Sequence, residues 1–564
     1  MKVHSPHARS KTLDAPNSIP KLCGADYEFQ NFVTHMARAE GTGYEASRLL
    51  LGQIDGYSGC NPGFDRAITT VSTGEEDISA TARDCRADPG GKSAFDSQDY
   101  GRKFLPNGMC FYVDLNHLEG CIAEVLSAYD HVASCHALFH HAHQATLRAN
   151  ADLRPGHRIA VLANNSDGQG NSFGTHLNFL ITRREWENLF HLKPHHQLCL
   201  AAFQASLQVL TGQGKVGSEN GRNPVPYQIS QRADYFEILS GLQTTYNRPI
   251  VNSRDEPHCG DRHAAAHDPA TADFARLHCI FFDNNLCHVA AFLKVGAMQL
   301  FLAQLEAGRF DATLILDDAV QAVLRWSHDP GLRATAPLVS GAELTAVDLQ
   351  RRFFDGVAQF VAEGGCDGLV PDADEILQLW GDTLEKLARC DFDALAPRLD
   401  WVLKMKILEE AIRRKSGLTW ESPEIKYLDH QYSNLDPAQG LYWAYERSGF
   451  VQRLVSEGRI ARCVQQPPED TRAWTRGTLL TLAGPDEIDS VDWDTIRFRL
   501  EDETHWLPRY RTVHLPNPLG HTKALIARCL PESGRLEDVI SALEESDRSS
   551  TDLNPNPRKH HAIP

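Results

Sequence analysis

The segment that most constrains the fold is NGMCFYVDLNHLEG, at positions 107–120. Its apolar and aromatic stretch CFYV has the composition of a buried β-strand. Residues two apart on a strand share one face, so Tyr112 and Asp114 are predicted to point the same way. His117 and Glu119 follow shortly afterwards, and Glu119 is expected on the turn. The segment thus offers groups that bind a metal or move a proton, with an ordinary Asp/Asn/His-rich turn as the alternative.

A second strand-like segment, GADYEF at positions 24–29, carries Asp26 and Glu28. By the same period of two, both carboxylates lie on one face. Two carboxylates on one face repel each other unless a cation lies between them. Oxygen ligands of this kind suit Mg²⁺. The pattern therefore predicts a magnesium site, and a solvated edge strand is the alternative.

The composition is that of a globular protein with room for more than one domain. The chain has 564 residues, of which 42% are hydrophobic and 23% are charged, values typical of folded domains. A net charge of −18 argues against a general nucleic-acid-binding protein. No apolar run is long enough to predict a membrane span, and the polar N-terminus lacks the apolar core of an export signal. The 14 cysteines are scattered without a C-x-x-C pair, which favours reduced thiols in a cytoplasmic protein.

The distribution of glycine, proline and polar residues predicts the domain boundaries. Residues 1–20 and 549–564 are interpreted as flexible tails. A long polar stretch at about 54–100, rich in Gly, Ser, Asp and Thr, is interpreted as an insertion loop. The rest divides into a large catalytic domain at 21–480 and a small C-terminal domain at 481–548.

The hydrophobic periodicity predicts an α+β fold. Apolar residues spaced by three and four predict helices at 120–150, 289–307, 343–363, 374–389, 396–414 and about 519–528. Short apolar runs predict strands at 158–163, 178–182 and 277–283, and an amphipathic strand is predicted at 490–501. We expect a large α+β domain with an antiparallel sheet, followed by a small α/β domain.

Three further groups of residues are candidates for binding. The glycine-rich turn NNSDGQGNSFGTHLN, at 164–178, can hold phosphate oxygens with its backbone N–H groups, and it contains His176 as a candidate ligand. It is not a Walker A loop, because no G-K-[ST] follows. Arg232 and Arg254 are candidates for a bidentate phosphate or carboxylate clamp, with surface ion pairs as the alternative. The histidines between 131 and 143 are predicted to form a polar helix face rather than a zinc site.

Taken together, these segments resemble one family, which comprises the Pup ligases (PafA) and the Pup deamidase/depupylases (Dop). The similar segments run in order through about 24–520, and they are GADYEF, NGMCFYVDLNHLEG, NNSDGQGNSFGTHLNFL, QISQRADYFE, NSRDEPH, RLHCIFFDNNLCHVAAFLKVG, WSHD, LWGDTLEKL, DWVLKMKIL, QPPEDTRAWTRG and VDWDTIRFRL. The family belongs to the carboxylate–amine ligases. The resemblance therefore implies a glutamine-synthetase-like large domain, whose curved antiparallel sheet forms an active-site cradle.

The resemblance implies a role for each candidate residue. Asp114 corresponds to the catalytic aspartate of the family. The implied Mg²⁺ ligands are Asp26, Glu28, Tyr112, Glu119 and His176. The implied contacts to the nucleotide, ATP or ADP, are Trp493, Arg232, Arg254 and His258.

The chain departs from the family pattern at several of its positions. Cys110 replaces an arginine that contacts the nucleotide, and Ala163 stands where a lysine is expected. Leu177 replaces a glutamate, and Ile122 replaces a hydroxyl-bearing nucleotide contact. Asp26 replaces a glutamate and is shorter by one carbon–carbon bond, about 1.5 Å. The loss of two positive groups predicts weaker phosphate binding and marks a divergent member of the family.

Three features favour the Dop branch over the ligase branch. They are the long stretch between Glu28 and Asp114, the Asp-x-x-His spacing from Asp114 to His117, and the segment SQRADYFE. The main hypothesis is an ATP/Mg²⁺-dependent amidohydrolase that acts on the C-terminal Gln or Glu, or on the isopeptide bond, of a Pup-like protein. The alternatives are an ATP-dependent Pup–protein ligase and a catalytically weakened protein that binds a Pup-like tail. The expected partners are a Pup-like protein with its conjugates and the proteasome system, and neither nucleic acid nor a membrane.

Overall fold

The computed structural model describes most of the chain, namely residues 18–34, 42–58, 101–256, 273–500, 509–527 and 534–552. The interpretations of 1–20 and 549–564 as tails, and of 54–100 as an insertion loop, fall mainly on residues outside these ranges. The domain boundaries at 21–480 and 481–548 stay predictions.

Strands and helices are interspersed along the described chain. The strands are β1 (Cys23–Thr34), β2 (Tyr57–Ser58), β3 (Lys103–Phe104), β4 (Cys110–Asp114), β5 (His117–Cys121), β6 (Arg158–Leu162), β7 (Thr175–Thr182), β8 (Lys215–Val216), β9 (Tyr227–Gln228), β10 (Phe236–Gly241), β11 (Arg248–Asn252), β12 (Phe274–Phe282), β13 (Thr335–Pro337), β14 (Glu343–Thr345), β15 (Ile488–Val491), β16 (Thr495–Leu500) and β17 (Arg509–His514). The α-helices are α1 (Thr42–Gly52), α2 (Ala128–Asp152), α3 (Arg183–Glu187), α4 (Pro194–Thr211), α5 (His288–Glu306), α6 (Ala319–Ser327), α7 (Ala346–Ala362), α8 (Ala373–Ala388), α9 (Phe392–Leu395), α10 (Asp400–Arg414), α11 (Pro423–Tyr432), α12 (Leu441–Arg447), α13 (Glu457–Gln465), α14 (Ala473–Leu482), α15 (Lys523–Ile526) and α16 (Leu536–Asp552).

The largest sheet is antiparallel and has eight strands in the described chain. Its order is β12-β7-β1-β5-β4-β3-β2, with β6 also paired to β1. Strand β1 is a central strand of the sheet with three partners. Its first half pairs with β7 and β5, and its second half pairs with β6. Its side chains largely alternate between buried and partly exposed, as in a strand with one covered face. The predicted antiparallel sheet is confirmed.

One face of this sheet is apolar and packs against two long helices. Tyr27, Phe29 and Phe179 are fully buried on it, and Phe139 of α2 packs edge-on against both Tyr27 and Phe29. Helix α5 is buried along its whole length. By length and composition alone α5 could cross a membrane, but its complete burial is that of a core helix.

The helix predicted at 120–150 begins later than expected. The preceding residues form strand β5, and Ser127 caps the helix by accepting a hydrogen bond from the Tyr129 N–H. The helix therefore starts at Ala128. As a consequence, Glu119 lies in a strand and not on a turn, so its side chain is held rigidly on one face of the sheet.

Two of the C-terminal elements also differ from their predictions. The single strand predicted at 490–501 is a hairpin of β15 and β16, because the chain reverses before Thr495. The helix predicted at 519–528 covers only Lys523–Ile526. The other predicted helices and strands are confirmed to within a few residues. The helices that were not predicted are α1, α3, α4, α6, α9, α11, α12, α13, α14 and α16.

The histidines of α2 form the predicted polar helix face only in part, because His140 is exposed and His141 and His143 are partly exposed, whereas His131 and His136 are buried. His131 and His136 are 0% and 6% exposed, and His136 packs against His288 of α5, with ring centroids 4.3 Å apart. Burial, assisted by the positive charge of Arg453, lowers the pKa of His136 to about 4. The prediction was wrong for His131 and His136 because α2 is covered by α5 and α13 as well as by the sheet, which the periodicity of one helix does not reveal.

The C-terminal segment forms a second layer beside the edge of the large sheet. Strands β15, β16 and β17 make an antiparallel sheet, whose inner side packs with α16 around Ile496, Phe498 and Val539. Phe104 and Cys110 of the large sheet belong to the same apolar cluster. This packing brings the turn between β15 and β16 next to β3 and β4.

Candidate active site

The face of the large sheet opposite the core carries polar side chains in rows, and we call it the polar face. Residues paired directly across antiparallel strands point to the same side. The pairing of β4, β5, β1 and β7 defines three rows, which are Cys110–Cys121–Asp26–His176, Tyr112–Glu119–Glu28 and Asp114–His117. The predicted site residues that lie together on the polar face are Asp26, Glu28, Tyr112, Asp114, Glu119 and His176.

A tight hairpin positions the predicted catalytic residue, Asp114. Strands β4 and β5 are joined by Leu115 and Asn116 alone, and Leu115 takes a positive φ of 50°, as two-residue hairpin turns require. His117 pairs directly with Asp114. Its Nδ1 donates a hydrogen bond to the Phe29 carbonyl oxygen at 2.9 Å. The Asp-x-x-His spacing therefore places the imidazole and the carboxylate side by side at the end of the hairpin.

Three carboxylates converge on the polar face. Oxygens of Glu28, Asp114 and Glu119 all lie within 4.8 Å of one another. Burial and the charge of Glu28 raise the pKa of Asp114 to about 6. Burial, together with the charges of Asp114, Glu28 and Asp26, raises the pKa of Glu119 well above its ordinary value. The group holds more acidic side chains than can all be ionised without a cation.

Glu28 is the member of this group that stays ionised. Its Oε2 accepts a hydrogen bond from the Gly174 N–H at 2.7 Å and lies 3.7 Å from His176 Nε2. Burial acts to raise its pKa, but the positive charges of His176, His117 and Arg232 lower it overall. Glu28 therefore provides a fixed negative charge at the centre of the polar face.

The oxygen donors of the polar face fit a hard divalent cation. Mg²⁺ prefers carboxylates and other oxygen ligands, and the phenol of Tyr112 adds an oxygen directly across from Glu119. A cation among these groups would remove the mutual repulsion that raises the pKa of Glu119 and of Asp114. The residues present are thus compatible with the Mg²⁺ expected from the sequence.

Two buried arginines lie beside Glu28. Arg232 is 0% exposed, and its Nε and Nη2 have no hydrogen-bond acceptor among the described residues. Arg248 is 5% exposed, and its Nη1 likewise lacks an acceptor within that part of the chain. Gly174 makes room for Arg232, because a Cβ there would overlap its guanidinium group. Buried guanidinium groups with spare donors are suited to receive a phosphate or a carboxylate.

A chain of polar contacts links Asp26 to Arg254. Asn178 donates from Nδ2 to Asp26 Oδ2 at 3.0 Å, and its Oδ1 accepts from Arg276 Nη1 at 2.9 Å. Arg276 pairs with Glu256 at 2.9 Å, and the other carboxylate oxygen of Glu256 lies 3.5 Å from Arg254 Nε. This network fixes the Asp26 carboxylate and places Arg254 beside the polar face.

Trp493 lies at the other end of the polar face. Its indole packs edge-on against Phe104, with centroids 5.2 Å apart, and the Arg476 guanidinium lies 5.1 Å from its ring centroid. Trp493 and Tyr112 border the same apolar cluster. This position suits a nucleotide base that stacks on the indole. The remaining predicted nucleotide contact, His258, lies outside the described residues.

Some of the side chains that depart from the family pattern lie in the core, and others lie on the polar face. Leu177, Ile122 and Ala163 are buried in the main core. The other two replaced side chains, Asp26 and Cys110, lie on the polar face, where Cys110 is 1% exposed. Arg102 lies nearby, and its positive charge acts on the Cys110 thiol. The polar face has therefore lost one arginine at position 110 and keeps another positive charge close to it.

Arg248 and Cys121 belong to the site but were not predicted from the sequence. Cys121 follows Glu119 by two positions, so the period of two places it on the same face once the segment is recognised as a strand. Arg248 lies in an apolar strand before Pro249, and nothing in its local sequence marks it as a binding residue. Its position depends on how β11 packs against the rest of the chain.

Comparison with known proteins decides the family. A family model described as Pup-ligase protein matches residues 27–497. The chain belongs to the Pup-ligase family. A Pup deamidase/depupylase of Mycolicibacterium smegmatis is 35% identical over 442 residues, which cover 78% of this chain and 82% of the relative. A Pup–protein ligase of Acidimicrobium ferrooxidans is 33% identical over 433 residues, which cover 76% of this chain and 89% of the relative. Both enzyme types of the Pup-ligase family are therefore represented among its relatives.

Solved structures of the Pup-ligase family have the same fold. A chain of the complex between Pup and its ligase PafA matches with a TM-score of 0.70 at 23% identity, covering 95% of this chain and 94% of that chain. PafA in complex with ADP matches with a TM-score of 0.65 at 25% identity, covering 84% of this chain and 94% of that chain. The α+β, glutamine-synthetase-like fold expected from the resemblance is confirmed.

Proposed function

We propose that the chain is a nucleotide- and Mg²⁺-dependent amidohydrolase of the Pup deamidase/depupylase type. It acts on the C-terminal glutamine of a Pup-like protein, or on the isopeptide bond that joins such a protein to a lysine. The observation that carries the proposal is the polar face, where Asp114 lies within 4.8 Å of two carboxylates that suit a cation and directly across from His117. The relatives named Pup deamidase/depupylase, at 35% identity, support it.

Asp114 is the catalytic residue in this proposal. Its carboxylate faces the scissile carbonyl group and either takes a proton from the attacking water or attacks the carbonyl carbon itself. The hairpin fixes its position, and the hydrogen bond from His117 to the Phe29 carbonyl holds the imidazole beside it. Glu28, Glu119 and Tyr112 would hold Mg²⁺, and a bound ion would neutralise the carboxylates and supply Lewis-acid polarisation of the carbonyl group.

The nucleotide, ATP or ADP, would serve as a cofactor, held by residues along the same face. Arg232, Arg248 and Arg254 donate to its phosphates, and the spare donors of the two buried arginines support this assignment. Trp493 stacks on the base. The remaining expected contacts are the metal ligands Asp26 and His176, and the nucleotide contact His258. A PafA structure in complex with ADP supports a nucleotide on this fold.

A ligase is the second candidate function, because one fold serves both reactions in this family. Pup–protein ligases are 33% identical to the chain over most of its length, and one matched structure, at 25% identity, is that of PafA in complex with ADP. In a ligase, the polar face would activate a C-terminal glutamate of the Pup-like protein with ATP, and a lysine of the target would then attack.

The third hypothesis, a catalytically weakened protein that binds a Pup-like tail, has less support. Three of the five replaced side chains, Leu177, Ile122 and Ala163, lie in the core. The two on the polar face, Cys110 and Asp26, leave the group of Glu28, Asp114 and Glu119 in place. We propose that the enzyme is cytoplasmic and that its partners are a Pup-like protein with its conjugates and the proteasome system.

The test uses the purified full chain with Mg²⁺ and ATP or ADP. One reaction offers a Pup-type protein ending in glutamine, and another offers an isopeptide-linked conjugate. We expect ammonia release in the first and free target protein in the second, without stoichiometric ATP consumption. ADP release that strictly requires both a C-terminal glutamate and an acceptor lysine would instead establish the ligase. Tight nucleotide binding without either reaction would leave the binding protein as the answer.

A further inference from the structure

Arg102 lies directly before β3 and faces the same side of the sheet as Tyr112. Strand β3 pairs antiparallel with β4, and Phe104 lies across from Cys110. Because the two strands run in opposite directions, the same register places Arg102 across from Tyr112. The Arg102 guanidinium carbon lies 5.6 Å from the centroid of the Tyr112 ring. Arg102 therefore extends, by one strand, the row of the polar face that runs through Tyr112 to Glu119.

The turn that carries Trp493 borders the same guanidinium group. Arg102 Nη1 lies 3.7 Å from Asp492 Oδ1, and this oxygen accepts a hydrogen bond from the Trp493 N–H at 2.8 Å. The Trp493 indole packs on Phe104, two positions after Arg102, with ring centroids 5.2 Å apart. Arg102 thus has the indole on one side and, through Tyr112, the clustered carboxylates on the other.

Two arginines lie near Trp493, and they differ in accessibility. The Arg476 side chain is 0% exposed and pairs with Glu124 at 3.0 Å. The Arg102 side chain is 33% exposed. Burial raises the pKa of the Cys110 thiol to about 12, and Arg102 is the positive charge that opposes this rise most. An anionic ligand can therefore reach Arg102, and the charge of Arg102 acts on the polar face.

A nucleotide that spans this part of the polar face would bring a phosphate to Arg102. Its base would stack on Trp493, and its outer phosphates would reach the carboxylates, since Mg²⁺ is commonly bound by carboxylates together with phosphates of the ligand. In a nucleoside diphosphate, the phosphate nearest the ribose comes between the base and the outer phosphate. A guanidinium group can donate two parallel hydrogen bonds to such a phosphate.

We propose that Arg102 binds the phosphate group nearest the ribose of the nucleotide. It supplies from β3 a positive charge that position 110 of β4 lacks, since a cysteine occupies that position. This role rests on the nucleotide cofactor of the proposed function. It adds a contact that neither the family resemblance nor the buried arginines include.

The binding of AMP and of adenosine to the full chain tests this role, because the two ligands differ only in that phosphate. Calorimetry gives the Kd for each ligand, and the ratio of the two values measures the contribution of the phosphate. We expect Arg102→Gln to raise the Kd for AMP about tenfold, the effect of one charge-assisted contact at a partly exposed position. The Kd for adenosine should stay unchanged.

Lys103→Gln is the matched control. It removes a positive charge at the next residue, whose side chain points to the opposite face of the strand. There the Lys103 Nζ donates to the Ile54 carbonyl oxygen at 2.8 Å. Both Kd values should therefore stay unchanged in this variant.

Three results would overturn the role of Arg102. The first is an unchanged Kd for AMP in Arg102→Gln. The second is an equal loss of affinity for adenosine, which would mean that Arg102 only supports the turn of Trp493 through Asp492. The third is an equal loss of AMP affinity in Lys103→Gln, which would indicate a general effect of net charge.

Two further measurements keep the outcome decisive. If circular dichroism shows that Arg102→Gln does not fold, Arg102→Lys decides by the same comparison of AMP with adenosine, because it keeps the charge and removes only the planar fork. If the natural chain binds no ADP in the presence of Mg²⁺, the proposed function fails together with this role. The three results above refute the role of Arg102 alone.

Discussion

The three clustered carboxylates experience different surroundings, and this difference divides their roles. Glu28 receives a backbone hydrogen bond and lies near positive groups, which lower its pKa overall. Glu119 is buried among acidic neighbours that raise its pKa. Asp114 has a pKa of about 6 and is more exposed than the other two. The buried Glu28 and Glu119 are therefore suited to hold a cation, while the more accessible Asp114 can contact the substrate.

Replacing Asp114 by Asn should abolish most of the activity. The change removes the negative charge with little change of shape, and general-base catalysis typically contributes about 10²–10⁴-fold. We expect the rate of ammonia release from a glutamine-ending Pup-type protein to fall by that factor, with ADP affinity nearly unchanged by calorimetry. Asp393→Asn, at a highly exposed position, is the matched control. Retained activity in Asp114→Asn would refute its catalytic role.

Arg232→Lys tests the assignment of the buried arginines. The substitution keeps a positive charge but removes the planar fork that binds phosphate oxygens. Charge-assisted hydrogen bonds are worth about 1.5–3 kcal/mol, so the Kd for ADP should rise about 10- to 100-fold. Arg389→Lys, at an exposed position, serves as the control. An unchanged Kd in the folded variant would mean that Arg232 does not contact the nucleotide.

Helices α2 and α5 are the elements that support the sheet beneath the site. His136 on α2 and His288 on α5 pack against each other in their interface with their rings tilted by 45°, and His136 Nε2 lies 3.2 Å from the Leu286 carbonyl oxygen. Burial lowers the pKa of His288 to about 2. Both imidazoles are neutral in the folded chain, so the interface depends on pH in the range where a free histidine gains a proton.

The free energy of unfolding should fall as the pH drops from about 6.5 to 4. The unfolded chain protonates His136 in that range, while the folded chain, with its pKa of about 4, does not. The unfolded state then binds more protons, which costs about 3 kcal/mol of stability by pH 4. His136→Gln keeps a donor for the Leu286 carbonyl but does not titrate. The slope of the free energy of unfolding against pH, measured by urea unfolding, should therefore decrease by the equivalent of about one proton. His191→Gln, at an exposed position, should keep the slope of the natural chain.

The elements also show what the sequence could and could not reveal. The two-residue repeat of a β-strand correctly predicted that Asp26 shares a face with Glu28, and Tyr112 with Asp114, because each pair lies on a single strand. Which strands are neighbours is a tertiary property that no local pattern contains. The rows of the polar face therefore depended on the family resemblance, and the row through Cys121 stayed hidden because its segment was taken for the start of a helix.

At the scale of the whole molecule, one buried carboxylate joins the large sheet to the C-terminal layer. Glu124 follows β5, and its two oxygens accept from Arg472 Nε at 2.8 Å and from Arg476 Nη2 at 3.0 Å. Arg476 also donates to the Trp493 carbonyl at 2.7 Å, and Arg472 donates to the Leu515 carbonyl at 2.9 Å. Burial acts to raise the pKa of Glu124, but the two arginines lower it to about 2. The position of Trp493, where we propose that the nucleotide base stacks, thus depends on Glu124.

Glu124→Gln should loosen this connection and weaken nucleotide binding together with stability. Removing one partner of a buried ion pair typically costs about 3–5 kcal/mol, because the remaining charges are left uncompensated. We expect a lower midpoint of urea unfolding, more solvent-exposed tryptophan fluorescence and a higher Kd for ADP. Glu385→Gln breaks an exposed Glu–Arg pair with Arg389, and such pairs contribute at most about 1 kcal/mol, so this control should change none of the three readouts. Lower stability with an unchanged Kd would show that Glu124 supports the fold only. Trp493 would then hold its place through its packing against Phe104, and the stacking position would be a property of the C-terminal layer itself.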